Sequence, residues 1–292
     1  MSEKNAYRNM YSMGTRLDIL LPGVDDELAD SLFLNIRNEL ERLESILSIY
    51  KDDSIFSSLN KKAASMPYNV DQEVFSLMSR MLKYNTLTLG YFDITLGTGL
   101  EQDASFPGHP AANRGILLDH ETMSVSFSSS DVRIDSGAFG KGLALNSIKK
   151  ILLQSKVSNA FISFGESSVL ALGHHPYGDC WKVGIKDVFR PDTNVFVFDV
   201  NDGSVSTSGN SPNNELRYSD GHIVNPRGGE TVKGYQLMSV AGPDPLDAEV
   251  LSTALILAEK SEQTTILGNF SGYRAVKISY PRKYAEAALE EL

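Results

Sequence analysis

The spacing of apolar residues changes along this chain from helical to strand-like, and that change constrains the fold more than any other feature. Apolar residues at 28–47 recur at three- and four-residue intervals, which predicts a long helix, and a second helical pattern covers 71–87. Beyond residue 115, short apolar runs between turns predict strands, interrupted by helices at 141–153 and 246–258. Hairpins mixed with separated helices favour an α+β fold over regular βαβ alternation.

Length and composition fit a single globular domain that spans residues 1–292. No linker rich in glycine, serine or proline divides the chain. The formal net charge of -10 argues against sequence-independent nucleic-acid binding, which depends on lysine and arginine. A single cysteine, Cys180, excludes an internal disulfide and any multi-cysteine metal site.

No apolar run approaches the ~18 residues of a membrane span. The first residues also lack the apolar core and the cleavage site of a secretory signal. We therefore expect a cytoplasmic protein as the sequence stands, and a periplasmic or membrane-anchored one if a leader has been removed. The oligomeric state cannot be deduced from these features.

A candidate phosphate site lies where a predicted strand, 132–135, passes through small residues and Lys141 into a predicted helix. Glycines let the backbone approach an anion, free N–H groups at a helix start point toward it, and a lysine ammonium adds positive charge. The segment is not a Walker A loop, because Gly142 follows the lysine in place of Ser or Thr. A tight turn from strand to helix explains the same residues without a ligand.

The segment 90–97 places two aromatic residues beside a carboxylate. Tyr91 and Phe92 could stack on a planar ring while Asp93 accepts hydrogen bonds from the ring edge. The alternative is a buried phenylalanine next to an exposed turn aspartate.

Two later segments carry residue types suited to phosphate chemistry. His222 suits proton transfer near neutral pH, and Arg227 suits phosphate binding. Glu249 and Thr253 are four residues apart and share a helix face, with Asp247 just upstream. Carboxylate and hydroxyl oxygens fit Mg²⁺, whereas helix-capping acids would explain the carboxylates without a metal.

Together and in this order, these segments resemble the ApbE family of FAD:protein FMN transferases. The likeness spans nearly the whole chain, and the number and order of its short motifs make chance a poor explanation. The motifs are Met13-Gly14-Thr15 and residues 48–54, 59–60, 90–95, 135–142, 164–165, 181–185, 207–209, 222–227 and 248–253. The resemblance implies a T-fold-like α+β domain with mixed or antiparallel sheets, flanking helices and an FAD cleft.

The resemblance also implies an activity: Mg²⁺-dependent cleavage of the FAD pyrophosphate, transfer of FMN to a threonine hydroxyl of an acceptor flavoprotein, and release of AMP. The implied FAD contacts are Met13, Tyr50, Tyr91, Phe92, Asp93, Asp135, Lys141, His222 and Ile223. The implied metal ligands are the Ala138 carbonyl, Glu249 and Thr253, helped by Asp247. We expect His222 to accept the proton of the acceptor hydroxyl.

Several positions depart from the family pattern. Glu249, Asn225 and Asn146 stand where the family usually has Asp, Gly228 stands where it has Thr, and 165–167 reads Gly-Glu-Ser where it has Gly-Gly-Asp. A glutamate carries its carboxylate about 1.5 Å farther than an aspartate, and Mg²⁺ demands strict geometry. Two alternatives therefore stand beside FMN transfer: Mg²⁺-dependent hydrolysis of FAD to FMN and AMP, and FAD binding with weak catalysis.

Overall fold

The computed structural model describes residues 5–95, 115–210 and 223–292. Within these ranges, eight strands form one antiparallel sheet. In sheet order they are β1 (Asn5–Ser12), β2 (Thr15–Pro22), β6 (Ala160–Phe164), β7 (Ser168–Leu172), β10 (Gly203–Asn210), β11 (Tyr235–Gly242), β12 (Arg274–Tyr280) and β13 (Ala288–Glu291).

Smaller sheets and helices cover this sheet. A three-stranded sheet contains β3 (Tyr68–Asn69), β5 (Ser124–Phe127) and β4 (Ile116–Asp119), and a hairpin contains β8 (Trp181–Lys186) and β9 (Asn194–Val200). The helices of the described ranges are α1 (Asp26–Leu47), α2 (Ile55–Lys62), α3 (Gln72–Leu87), α4 (Gly140–Gln154), α5 (Pro245–Leu257) and α6 (Lys260–Gly268). The α+β class predicted from the sequence is confirmed. Among the helices described, none combines the length and the apolarity needed to cross a bilayer.

α1 lies against the large sheet through its apolar stripe. It begins where the Asp25 carboxylate accepts a hydrogen bond from the Leu28 amide at 2.8 Å. Leu28 was expected on the buried stripe, but its side chain is exposed and the smaller Ala29 is buried instead. The core between α1, α4 and strands β2, β6 and β7 includes Leu32, Ile36, Leu40, Leu43, Leu17, Ile19, Ile162, Phe164, Leu145 and Ile148.

β7 is buried on both of its faces. Leu170 and Leu172 belong to the core under α1 and α4, while Val169 and Ala171 belong to the core under the β8–β9 hairpin. Successive side chains of a strand point to opposite faces, so a strand in this position has no solvent-facing side. This arrangement explains why the sequence of β7 is continuously apolar where a one-sided strand would alternate.

α5 is the most buried helix of the described part of the chain. Nearly all its residues are buried, and it packs against α4 and against β10 and β11. A helix that is apolar on all sides needs such a position. The few polar residues of α5 therefore face other protein elements, and these polar contacts form the candidate site.

The strand predicted at 132–135 is wrong. The backbone N–H of Ile134 donates to Asn60 Oδ1 at 2.8 Å, and the Asn60 amide donates to the Ile134 carbonyl at 3.0 Å. The Asp135 amide donates to the Ile94 carbonyl at 2.8 Å. A side chain and a loop thus satisfy the hydrogen bonds that a strand ladder would have made.

Other elements were not predicted, namely β1, β3, α2, α6 and β13. α2 carries a signal that could have found it: Ser54 caps the helix by accepting a hydrogen bond from the Ser57 amide, and lysines fill the last turn. The strand predicted at 221–224 lies partly outside the described residues. Within them, Val224 forms an isolated bridge with Thr231.

Candidate functional site

The first turn of α4 meets α5 at a buried glutamate. The Gly142 amide donates a hydrogen bond to Glu249 Oε2, and Lys141 Nζ lies 2.7 Å from Glu249 Oε1. The Glu249 side chain is 4% exposed and that of Lys141 is 24% exposed. Both carboxylate oxygens are therefore engaged, one by a helix-terminal N–H and one by an ammonium.

In this arrangement the Glu249 carboxylate serves as the anion at the N-terminus of α4. Phe139, the residue before the helix, supplies no side-chain cap, and the Glu249 carboxylate binds a free amide of the first turn in its place. The Gly140 amide donates to the Ser136 carbonyl at 2.7 Å. The turn that the sequence marks as anion-binding therefore binds a carboxylate of the chain itself in this structure.

A group of hydroxyls continues the polar face of α5 beyond Glu249. Thr253 Oγ1 lies 3.2 Å from Ser208 Oγ, which lies 2.8 Å from Ser252 Oγ. Ser252 also donates to the Glu249 carbonyl at 3.0 Å. Sequence reasoning placed Ser208 in a motif without a role and did not single out Ser252. The serine-rich strand β10 facing a polar helix face was the available signal.

Asp247 faces the opposite side of α5 from Glu249, because two residues of helix turn the chain by about 200°. Its carboxylate accepts hydrogen bonds from Tyr84, from Arg80 at 3.0 Å and from Tyr273 at 2.9 Å. Burial and the neighbouring Asp247 carboxylate raise the pKa values of Tyr84 and Tyr273, so both hydroxyls remain donors. In this structure Asp247 ties α5 to α3, and it does not face the Glu249 and Thr253 side.

The segment around Asp135 is fixed by contacts on both sides. The Asp135 carboxylate accepts a hydrogen bond from the Gly137 amide, which bends the chain toward α4. Ser136 Oγ donates to the Leu47 carbonyl at 3.3 Å, at the end of α1. Since the Asp135 amide donates a hydrogen bond to the Ile94 carbonyl, the structure places Asp135 next to the segment that contains Asp93.

Tyr91 and Phe92 are both core residues. Phe92 is fully buried, and its ring makes edge contacts with Tyr84 and Phe139. The Tyr91 hydroxyl donates to Glu262 at 2.6 Å, and the Arg227 guanidinium lies 4.7 Å from the Tyr91 ring centre. Both residues are therefore buried in protein contacts, and the Arg227 guanidinium covers one face of the Tyr91 ring. Neighbouring Asp93 is half-buried, and its Oδ1 accepts hydrogen bonds from the Thr95 amide and hydroxyl.

Met13 and Tyr50 lie on two loops that share one glutamate of α1. Glu44 accepts hydrogen bonds from the Met13 amide and from Lys51 Nζ, each at 2.8 Å. Burial alone would raise the pKa of Glu44, but these donors and the Ser12 hydroxyl outweigh it and lower that pKa. Met13 is half-buried, whereas the Tyr50 side chain is 87% exposed.

His222 lies outside the described residues. Ile223, the next residue, is half-buried, and its carbonyl accepts a hydrogen bond from the Val232 amide at 2.9 Å. The following segment is held to α6 by Arg227, whose guanidinium lies 2.8 Å from Glu262. Arg227 therefore already has a carboxylate partner.

The residues present offer a donor set that Mg²⁺ accepts, with one condition. Glu249 and Thr253 occupy one face of α5, and Ala138 lies in the turn that leads into α4. Carboxylate, hydroxyl and carbonyl oxygens are the ligands of this hard cation. Across the described residues, no cluster of three or more His, Cys, Asp or Glu could hold a metal, so such a site depends on hydroxyl and carbonyl oxygens. The condition is that Lys141 leaves Glu249.

Comparisons with known proteins agree with one another. The sequence pattern that defines the ApbE family matches residues 13–276. A FAD:protein FMN transferase of Klebsiella pneumoniae (strain 342) is 26% identical over 294 residues, covering 91% of this chain and 83% of that protein. One of Treponema pallidum (strain Nichols) is 26% identical over 283 residues, covering 85% of this chain and 77% of that protein.

Solved structures share the fold. The flavin transferase ApbE from Vibrio cholerae superimposes with a TM-score of 0.79 at 19% identity, covering 99% of this chain and 97% of that one. The flavinyl transferase ApbE of Pseudomonas stutzeri, in its apo form, gives a TM-score of 0.81 at 19% identity, covering 100% of this chain and 95% of that one. At this level of identity the likeness establishes the fold alone.

Proposed function

Because the chain belongs to the ApbE family, we propose that it transfers FMN from FAD to a threonine hydroxyl of an acceptor flavoprotein, with Mg²⁺ as cofactor and AMP as leaving group. The observation that carries the proposal is the meeting of α4 and α5, where Lys141 pairs with Glu249, and Thr253 follows Glu249 by one turn on α5. The names of the relatives support a flavin nucleotide as donor and a protein as acceptor.

In the proposed reaction, the acceptor hydroxyl oxygen forms a bond to the FMN phosphorus. The bond from that phosphorus to the AMP oxygen breaks, and the hydroxyl proton passes to His222. Positioning and charge neutralisation supply most of the acceleration in such a transfer. Lys141 binds the pyrophosphate through its ammonium, because it is the cation at the start of α4.

Ala138, Glu249 and Thr253 are the proposed metal ligands, through a carbonyl, a carboxylate and a hydroxyl. Mg²⁺, when bound, neutralises charge on pyrophosphate oxygens. Ser208 supports this set by fixing Thr253 through the hydroxyl contact of 3.2 Å. Asp247 contributes indirectly by fixing the start of α5 through Tyr84, Arg80 and Tyr273.

The remaining proposed contacts come from other segments of the chain. Asp93 and Asp135 offer carboxylates on adjacent segments, while Met13 and Tyr50 lie on the two loops fixed by Glu44. Tyr91 and Phe92 are proposed to form the wall behind Asp93, since their rings are buried. Ile223 is proposed to border the site next to His222.

The experiment that tests the function is incubation of the purified protein with FAD, Mg²⁺ and a threonine-containing acceptor protein. Covalent flavin on the acceptor, detected by fluorescence in a denaturing gel and by an added FMN mass, together with one AMP per flavin transferred, is the expected result. A matched acceptor with valine in place of the threonine should remain unlabelled.

Other outcomes identify the alternatives. Free FMN and AMP with an unlabelled acceptor would indicate an FAD pyrophosphatase. Intact FAD in the bound fraction would indicate a flavin-binding protein. Absence of FAD binding, measured by flavin fluorescence at high micromolar concentration, would overturn the proposal.

A further inference from the structure

Both oxygens of the Glu249 carboxylate are occupied by groups of α4, namely the Lys141 ammonium and the Gly142 amide. Lys141 Nζ lies 2.7 Å from one oxygen, and the Gly142 amide donates to the other. In the proposed function Glu249 binds a metal, and Lys141 binds pyrophosphate. Neither can do so while the two side chains remain paired.

Burial decides which partner moves. The Glu249 side chain is 4% exposed and sits on a helix whose residues are nearly all buried, so its position is fixed. The Lys141 side chain is 24% exposed and has a flexible four-carbon stem. Lys141 can therefore swing to a neighbouring anion, and the free-energy cost of this movement falls when the buried carboxylate receives another cation, because an unpaired buried charge is strongly unfavourable.

We propose that the Lys141–Glu249 ion pair couples nucleotide binding to divalent-cation binding: each ligand opens the binding group of the other. The pyrophosphate attracts Lys141 and exposes the Glu249 carboxylate, and a divalent cation on Glu249 releases Lys141 for the pyrophosphate. This inference rests on the proposed function. Coupling of this kind is reciprocal, and typical values correspond to affinity changes of about 5- to 150-fold.

The glutamate is what allows the pair to form as observed. Its carboxylate reaches both the ammonium and the amide of the first turn of α4. An aspartate is shorter by one methylene, roughly 1.5 Å, and on the same backbone it could not span both contacts. The Glu249→Asp variant should therefore weaken the ion pair and keep the carboxylate.

Two binding measurements test the proposal, each with one ligand present. In the first, Mn²⁺ is titrated without nucleotide and free Mn²⁺ is followed by electron paramagnetic resonance. Lys141→Met should bind Mn²⁺ about tenfold more tightly than the wild type, because no ammonium competes for Glu249. Lys150→Met, which removes an exposed lysine of the same helix, should bind Mn²⁺ like the wild type.

In the second measurement, ADP, which carries a pyrophosphate without flavin, is titrated by calorimetry in EDTA. Glu249→Gln should bind ADP about tenfold more tightly than the wild type, since Lys141 no longer has to leave a carboxylate. Glu259→Gln, at an exposed position after the same helix, should leave ADP affinity unchanged. Glu249→Asp should shift both affinities in the same directions and provides a conservative variant if the others do not fold.

The coupling would be overturned if the wild type bound Mn²⁺ at least as tightly as Lys141→Met does and bound ADP at least as tightly as Glu249→Gln does. FAD binding and FMN transfer by the wild type are measured in parallel with Mg²⁺. If these succeed while the two variants behave like the wild type, the coupling fails and the proposed function stands. If the wild type does not bind FAD, the proposed function itself fails.

Discussion

Gly142 lies where the first turn of α4 passes close to the backbone of α5. A Cβ atom there would lie 2.6 Å from the Pro245 carbonyl oxygen, 2.7 Å from the Leu246 Cα and 2.9 Å from Glu249 Oε2. Two of these atoms are backbone and cannot move independently of α5. A glycine is therefore required at this position for the space it leaves, since its φ lies outside the positive range.

At the residue scale, Gly142→Ala should lower the free energy of unfolding by about 1–3 kcal/mol, because the methyl group forces the helices apart. Urea denaturation measures the effect. Gly140→Ala is the matched control: its Cβ would meet Ser136 no closer than 3.6 Å, so the change should be neutral or stabilising by up to about 1 kcal/mol. Equal losses in the free energy of unfolding for both variants would show that the closeness of α5 to Gly142 does not cause the destabilisation.

At the element scale, the segment that leads into α4 is fixed by the side-chain amide of Asn60, which makes the hydrogen bonds that a neighbouring strand would make. Asn60, on α2, both donates to and accepts from the Ile134 backbone. Ile134 itself is fully buried. The path of 134–142 toward Glu249 thus depends on a helix that is far from it in sequence.

Asn60→Ala should destabilise the protein by about 2 kcal/mol or more, because a buried N–H and a buried carbonyl lose their partners. Asn69→Ala removes one hydrogen bond of 3.2 Å at an exposed site, so it should cost no more than about 0.5 kcal/mol. Thermal unfolding of the two variants provides the comparison. A loss for Asn60→Ala as small as that for Asn69→Ala would mean that water replaces the lost bonds.

The contact of α1 with the β1–β2 turn should give a pH-dependent contribution to stability. The pKa of Glu44 is lowered in the folded state, so its contribution is present above the unfolded pKa of about 4.3 and is lost as pH falls through the folded value. Glu44→Gln should be less stable than the wild type by about 1–2 kcal/mol at pH 7, and the two should converge as the pH falls below the unfolded pKa of about 4.3.

Urea titrations between pH 3 and pH 7 measure this convergence. Glu41→Gln, at an exposed position of the same helix, is the control and should run parallel to the wild type. A constant difference between Glu44→Gln and the wild type at every pH would show that charge at Glu44 does not matter.

At the scale of the whole molecule, the antiparallel sheet and its helices bring distant segments to the start of α4. Hydrogen bonds join the end of α1 and the segment that contains Asp93 to residues 135–136, and they join α5 to the first turn of α4. The Met13 turn is bound to α1 through Glu44, and β10 is bound to α5 through Ser208 and Thr253. A ligand that touches several of these segments stabilises the folded state as a whole, since the unfolded chain offers no such site.

FAD at about 100 times its dissociation constant should therefore stabilise the protein by about 2.7 kcal/mol, which corresponds to a rise in the unfolding midpoint of about 5 °C. Differential scanning fluorimetry is confounded by flavin emission, so circular dichroism is the measurement. AMP alone should produce a smaller rise at the same concentration. A midpoint independent of FAD concentration would contradict FAD binding.

Sequence patterns predicted the helices and strands in which buried side chains recur at regular spacing. The helices at 28–47, 71–87, 141–153 and 246–258 and the strands of the large sheet between residues 160 and 280 have apolar spacing that follows from burial on one face or on both. The edge strand β1 and the short helix α2 have weaker periodicity, and they were missed. Residues 132–135 alternate between apolar and charged side chains as a strand does, but Asn60 makes the hydrogen bonds to Ile134 that a neighbouring strand would have made.

The sequence by itself determined the α+β class, the helix faces and the set of polar residues from which a site can be built, because these depend on local spacing and residue chemistry. Only the tertiary structure decided how those residues are paired. Helix rotation turns Asp247 toward α3 and Glu249 toward α4, and helix packing brings Glu249 to Lys141 across more than a hundred residues of chain. Such pairings depend on the relative positions of whole elements, which no local pattern encodes.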